Sequence, residues 1–127
     1  MGIAAMRAPI IINESPTPLK PGCIYVFSSV ELAERYFEAW YADESYCACD
    51  ADGKLLIIQP DQRTGSVCIM EQQNAPARPD LTASFLRAYI AGLLSLNKIE
   101  KSEFNDAWLH SASTADLAEV SLRHATE

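Results

Sequence analysis

The first apolar positions of the chain fall in two short runs that predict strands. Residues 8–12 are rich in β-branched side chains, and Pro9, which has no amide hydrogen to donate, suggests that this strand lies at the edge of a sheet. After Pro21 and Gly22, residues 23–27 form a continuous apolar run, which is typical of a buried strand. The chain therefore begins with two predicted strands.

The next segment has the periodicity of an amphipathic helix from residue 29 to about residue 42. Ser28 and Glu31 stand in the S-x-x-E spacing of a capping box, in which each side chain accepts a hydrogen bond from a free backbone amide at the helix start. The apolar positions recur at helical spacing and form one stripe: Leu32, Ala33, Tyr36, Phe37 and Trp40. We therefore expect Trp40 to face the core and Tyr41 to lie off the stripe.

Three further runs predict an antiparallel meander of strands over residues 46–50, 54–59 and 66–72. The first two are joined by Asp50-Ala51-Asp52-Gly53, and Asp-Gly between such runs is a strong hairpin signal because both residues tolerate unusual backbone angles. The last two are joined by the turn-rich residues 60–65. A hairpin at residues 50–53 is the most specific prediction of this half.

The C-terminal third predicts three helices. Asp80 or Thr82 caps the first, which runs to Leu96 and stops at Asn97. Ser102 is the expected cap of the second, and the S-x-x-D spacing of Ser113 opens the third.

The element order is therefore β(β)αβββααα, which predicts an α+β fold with an antiparallel sheet of about four strands packed by helices. The chain has 127 residues, of which 49% are apolar, so residues 1–127 suffice for one domain with one core. We expect the ends, residues 1–8 and 124–127, to be frayed. No signal peptide and no membrane-length apolar run are recognised, which favours a soluble, cytoplasmic protein without membrane contact.

Charge adds a second kind of information. The formal net charge is −7, which argues against nucleic acid as a partner. The negative charge is concentrated in residues 31–52, which hold seven acidic residues and a single basic one, Arg35. A dense patch of one sign speeds association with a partner of opposite charge, although it also serves simply to keep a protein soluble. On the predicted helix, Glu31, Glu34 and Glu38 are three or four positions apart and lie opposite the apolar stripe, so we expect them to stack along one solvated face. The residues predicted to bind a partner are Glu31, Glu34, Glu38, Tyr41, Asp43, Glu44 and Asp52.

No catalytic or metal-binding pattern is recognised. The four cysteines, Cys23, Cys47, Cys49 and Cys68, lack the spacing of zinc knuckles and lie in predicted strands, so we expect them to be reduced and mostly buried. Cys47 and Cys49 share a strand face and would supply at most half a metal site. The loop that begins at Asp50 lacks the glycine at the sixth position of a calcium loop. We predict no metal, no cofactor and no catalysis.

Three stretches of the sequence resemble small bacterial immunity proteins of polymorphic or contact-delivered toxin systems: GCIYVFSS at residues 22–29, ELAERYFEA at 31–39 and DADGKLL at 50–56. The resemblance covers residues 22–58. It implies a protein without catalysis of its own that binds a cognate toxin domain tightly and occludes its active site, often through acidic residues. From the acidic segment we expect the cognate toxin or effector to have a basic surface, and we expect the protein to be a monomer or a homodimer. A type III secretion chaperone for an effector protein is the alternative function, and a small enzyme of unknown type is the third.

Overall fold

The computed structural model describes residues 6–14, 24–43 and 46–126. The strands are β1 (Ile10–Asn13), β2 (Ile24–Phe27), β3 (Cys47–Cys49), β4 (Leu55–Asp61) and β5 (Ser66–Glu71). The helices are α1 (Val30–Tyr36), the 3₁₀ helix η1 (Ala39–Asp43), α2 (Pro79–Ser95), α3 (Asp106–Ser111) and α4 (Thr114–Arg123). The predicted α+β class is confirmed, with five described strands rather than about four.

The five strands form one antiparallel sheet in the order β2-β1-β3-β4-β5. Strand β1 pairs with β2 on one side and with β3 on the other, and all four of its residues are fully buried. The prediction that this segment is an edge strand is therefore wrong. Pro9 precedes the first paired residue, so its missing amide hydrogen costs the sheet no hydrogen bond.

Helices cover both faces of the sheet. Successive side chains of a strand point to opposite faces, and apolar side chains of the strands are buried on each face. Helices α2, α3 and α4 cover one face and pack on Ile11, Val26 and Cys49. Helix α1 and η1 cover the other face, on which Ile10, Ile12, Phe27, Leu56, Ile58, Val67 and Ile69 are buried. The first part of the acidic segment, residues 31–42, therefore lies on the α1 side of the sheet.

Helix α1 is about half as long as predicted. Ser29, not Ser28, is its cap, and the Ser29 hydroxyl accepts the amide hydrogen of Leu32 at 3.1 Å. The helix ends because Phe37 has extended backbone angles, and the next turn is held elsewhere: the amide of Ala39 donates to the carbonyl of Gly65 at 3.0 Å. Residues after Phe37 thus no longer follow the helical stripe that the sequence pattern indicates.

The predicted hairpin at residues 50–53 is confirmed and is built around the buried carboxylate of Asp50. One carboxylate oxygen accepts the amide hydrogens of Asp52 at 2.9 Å and Lys54 at 3.0 Å, and the other accepts that of Arg7 at 3.0 Å. Gly53 has a φ of +82°, a conformation that favours glycine. A side chain there would also collide with the backbone of Arg78 and Pro79, which start α2.

The C-terminal helices begin and end largely where sequence signals place them. Asn97 has a φ of +56° just after α2, and the Ser113 hydroxyl accepts the amide hydrogen of Asp116 at the start of α4. Asn105 rather than Ser102 caps α3. Thr82 does not cap α2; it is buried and donates to the carbonyl of Asp50 at 2.8 Å.

Residues 124–126, which we expected to fray, are held against the outer edge of β2. The amide of Thr126 donates to the carbonyl of Val26 at 2.7 Å, and the amide of Val26 donates to the hydroxyl of Thr126 at 3.0 Å. At the opposite end of the chain, Arg7 is bonded to the 50–53 hairpin through its amide and through its side chain. Within the described part of the chain, no helix has the length and apolarity needed to cross a membrane.

Candidate partner-binding surface

The outer edge of β5 is covered by α1, and Glu34 contributes the contact. Its carboxylate accepts the amide hydrogen of Ile69 at 2.8 Å, in the place where a sixth strand would supply a carbonyl. Val67 and Ile69 are each only 3% exposed, and the amide of Ile69 is not available for pairing with a further strand. Glu34 therefore holds the fold together, whereas the sequence pattern places it on a solvated face.

Glu31 lies on the solvent side of α1. Its side chain is 82% exposed and pairs with Arg35, one helical turn further on, at 3.8 Å. Glu31 and Glu34 consequently do not form one acidic stripe, because one faces water and the other reaches the sheet. The predicted stacking of Glu31, Glu34 and Glu38 along one helix face is wrong, and Glu38 lies beyond the end of the helix.

The exposure of Trp40 and Tyr41 is the reverse of the prediction. Trp40 is 59% exposed, and Tyr41 is 4% exposed, so the predictions that Trp40 faces the core and Tyr41 lies off the stripe are both wrong. The cause is the change from α1 to η1 at Phe37, which shifts the phase of the side chains. Tyr41 stacks on the ring of Phe37 with centroids 4.0 Å apart, and its hydroxyl donates to the carboxylate of Glu14 at 3.1 Å.

The exposed indole of Trp40 is held by a carboxylate. Its Nε1–H donates to Oε2 of Glu38 at 2.6 Å, and both side chains are exposed. The backbone beneath them is held by the amide of Tyr41, which donates to the carbonyl of Glu38 at 2.9 Å. An edge contact with the buried ring of Tyr41, at 6.1 Å, supports the indole from below. Sequence reasoning missed Trp40, because a tryptophan at helical spacing is normally a core residue.

Tyr36 adds a second partly exposed ring in the same segment. It is 46% exposed and leans on Tyr25 and Phe27, with ring centroids 5.5 and 5.3 Å away. Tyr36, Glu38 and Trp40 are exposed and lie within five consecutive positions of the chain, and we call them the Trp40 surface. Tryptophan and tyrosine rings are among the residue types that dominate the binding energy of protein interfaces.

The negative charge of the Trp40 surface is not neutralised within the described residues. No lysine or arginine among them forms an ion pair with Glu38, and the arginines of the adjoining segments are paired elsewhere, Arg35 with Glu31 and Arg63 with Asp61. The carboxylate of Glu38 thus retains the capacity to accept a hydrogen bond from a partner.

Of the remaining predicted site residues, Asp52 does not join this surface. Asp52 lies in the hairpin before β4 and forms an ion pair with Arg7 at 2.6 Å, whereas η1 is bonded to Gly65 in the turn after β4. The seven residues of β4 separate the two places by roughly 20 Å at the usual rise of a strand. The side chain of Asp43 and all of Glu44 lie outside the described residues.

An open groove of about 700 Å³ lies beside α2. It runs between β2, the second half of α2 and residues 124–126. Tyr25, Tyr89 and Leu93 line it, Leu96 is 65% exposed at its rim, and Lys98 and His124 add polar atoms. Gly92 forms part of the wall, and a side chain added there meets no atom within 4 Å. The groove has space for an apolar segment.

The cysteines that the structure describes are free thiols, and Cys23 lies outside those residues. Cys49 is buried and Cys47 half-buried, but Cys68 is exposed, so the expectation of burial is wrong for Cys68. Cys68 alternates with the buried Val67 and Ile69 along β5, so its side chain points to the opposite face of the sheet. Burial raises the pKa of Cys49 to about 12, and partial desolvation followed by the charge of Glu34 raises the pKa of Cys68.

No group of three or more His, Cys, Asp and Glu side chains is placed to bind a metal ion in the part of the chain that the structure describes. His110 and His124 are exposed at the C-terminal ends of α3 and α4, where a positive charge is favoured by the helix dipole. Comparisons with protein-family models, with curated proteins and with solved structures gave no match.

Proposed function

We propose that this chain is an immunity protein without catalysis of its own, which binds a cognate bacterial toxin or effector domain and occludes it. The observation that carries the proposal is the Trp40 surface: an exposed tryptophan held by an unneutralised carboxylate on a firm aromatic base. A net charge of −7 favours a partner with a basic surface. We expect the protein to act in the cytoplasm as a monomer or homodimer.

The contacts of the acidic residues indicate a different role for each of them. Glu38 and Glu31 are exposed and steer the partner, while Trp40 and Tyr36 supply the apolar contact area that an interface centre needs. Glu34 stays with the fold because its carboxylate holds Ile69. Tyr41 supports Trp40 from within the core rather than touching the partner.

The test begins with tagged protein captured from the source cells, identification of the bound protein, and measurement of binding with purified components. Glu38→Lys combined with Trp40→Ala is expected to slow association and to abolish protection of cells that express the toxin. Glu100→Lys is the matched control, because Glu100 is exposed and lies between α2 and α3. Normal binding and protection by the double variant, with its thermal midpoint unchanged, would remove the proposal.

The groove beside α2 favours one second function, that of a type III secretion chaperone holding an extended apolar segment of an effector. Gly92→Phe is designed to fill the groove from a position where an added Cβ atom meets no atom of another part of the chain within 4 Å. If this variant loses the captured partner while the Glu38 and Trp40 double variant keeps it, the chaperone function is the better account.

A further inference from the structure

The Trp40 surface has the composition of a site for one cationic side chain. Trp40 exposes more than half of its surface, yet its only polar hydrogen is already donated to Glu38. A partner that binds here gains nothing by accepting a hydrogen bond from the indole. What the ring still offers is its π face, which attracts a cation, and the carboxylate beside the ring edge attracts the same charge.

The pair is organised before any partner arrives. The 2.6 Å bond between the indole and Glu38 fixes the carboxylate against the ring edge, and the edge contact with Tyr41 fixes the ring itself. Tyr41 is in turn stacked on Phe37 within the core. A cation bound here would therefore order few additional side chains, and such ordering is a main cost of association.

We propose that Trp40 and Glu38 form a receptor for an arginine of the partner, with the guanidinium stacked on the indole and bonded to the carboxylate. A guanidinium is planar, is weakly hydrated and presents several donors, so it can stack and donate at once, whereas a lysine ammonium is compact and strongly hydrated. This inference rests on the proposed function and names the group that the surface recognises. The arginine is the anchor, and the remaining negative charge steers it.

The experiment uses the full chain and capped peptides in place of the partner: tetra-arginine, tetra-lysine and the neutral tetra-citrulline. The chain has two tryptophans, Trp40 and Trp108. Their indole N–H resonances are to be followed by NMR and assigned by comparison with Trp108→Phe. Tetra-arginine is expected to shift the Trp40 resonance saturably and to bind at least about threefold more tightly than tetra-lysine. Tetra-citrulline is expected to leave the resonance unmoved.

Two variants locate the effect. Glu38→Gln keeps a hydrogen-bond acceptor for the indole but removes the charge, and it is expected to weaken tetra-arginine binding by about threefold or more. Glu100→Gln removes an exposed charge elsewhere and is expected to bind like the parent. Equal binding of tetra-lysine, a shift of Trp108 instead of Trp40, no saturable shift, or parent-like binding by Glu38→Gln would each overturn the inference.

The outcome is separable from that of the proposed function. If charge reversal at Glu38 abolishes binding of the captured partner while tetra-arginine leaves Trp40 unmoved, the interaction surface stands and the arginine receptor falls. If tetra-arginine binds as expected but the captured partner binds normally to variants of Trp40 and Glu38, the two residues form an arginine-binding site whose ligand is not this partner, and the immunity function falls.

Discussion

The carboxylate of Glu34 lies 2.8 Å from the backbone amide nitrogen of Ile69 and accepts its hydrogen at the edge of the sheet. An acidic residue that the sequence pattern places on a solvated helix face is thus the hydrogen-bond partner of a strand residue that is only 3% exposed. The charge-rich segment divides accordingly into residues that maintain the fold and residues that remain free for a partner.

The first prediction separates these two roles. Glu34→Ala leaves the amide of Ile69 without an acceptor under α1, so we expect the free energy of unfolding to fall by about 1–3 kcal/mol. Glu34→Gln keeps an acceptor oxygen for the Ile69 amide, so it should lower the free energy of unfolding by less. Glu31→Ala removes only an exposed ion pair and should change stability by less than about 1 kcal/mol. Urea unfolding of the three variants measures these differences, and equal effects of Glu34→Ala and Glu31→Ala would contradict the assignment.

A second prediction concerns the Asp50 carboxylate, which is fully buried and accepts three backbone amides. Asp50→Ala leaves all three donors without that acceptor, and we expect a loss of about 3 kcal/mol. In Asp50→Asn the remaining side-chain oxygen still accepts the amides of Asp52 and Lys54, but the new NH₂ group faces the amide of Arg7. We therefore expect an intermediate loss of unfolding free energy. Asp52→Asn, which breaks the exposed ion pair with Arg7, should cost less than about 1 kcal/mol.

Calorimetric midpoints of these variants rank the three effects. A parent-like midpoint for Asp50→Ala would mean that the hairpin does not depend on its carboxylate.

Two glycines provide a prediction with opposite signs. Gly92→Ala adds a methyl group inside α2 where no atom lies within 4 Å, so it should stabilise the protein by about 0.5–1 kcal/mol through helix propensity. Gly53→Ala places the same group 2.3 Å from the backbone nitrogen of Pro79 at a φ of +82°, and it should destabilise by about 2 kcal/mol or more. Chemical denaturation distinguishes them, and a shared sign would contradict the described turn or helix.

Cys49 makes stability depend on alkaline pH. Burial raises its pKa from 9.0 to about 12, so above pH 9 the unfolded chain loses the proton while the folded chain keeps it. The contribution of this thiol to stability is complete below pH 9 and should fall by about 1.4 kcal/mol per pH unit between pH 9 and 12.

The measurement is the difference in unfolding free energy between pH 8 and pH 10 for the parent and for Cys49→Ala. The stability of Cys49→Ala should fall less over this range, because the variant lacks the thiol. Cys68→Ala, at an exposed position, should decline more nearly as the parent does. An identical pH dependence of the parent and Cys49→Ala would show that Cys49 is not shielded.

The parts of the fold that the sequence predicts are those with local causes. The hairpin at Asp50 and the cap at Ser113 depend on residues within four positions of each other, and both are where the pattern places them. The interior position of β1 depends on which strands pair, and no local signal encodes that choice.

The candidate site illustrates the same limit. The length of α1 depends on a bond between Ala39 and the carbonyl of Gly65, which lies 26 positions further along the chain. That contact ends the helical phase, turns Trp40 outward and turns Tyr41 inward. The acidic character of the site can be predicted from composition. The exposure of Trp40 and the burial of Tyr41 cannot, because they depend on this tertiary contact.

The most direct test of the central claim is amide hydrogen exchange of this chain, alone and in complex with its purified partner. We expect slower exchange across residues 36–43, which carry the Trp40 surface, and unchanged exchange at residues 88–98 beside the groove. Slowing confined to residues 88–98 and 124–126, with residues 36–43 unaffected, would contradict it.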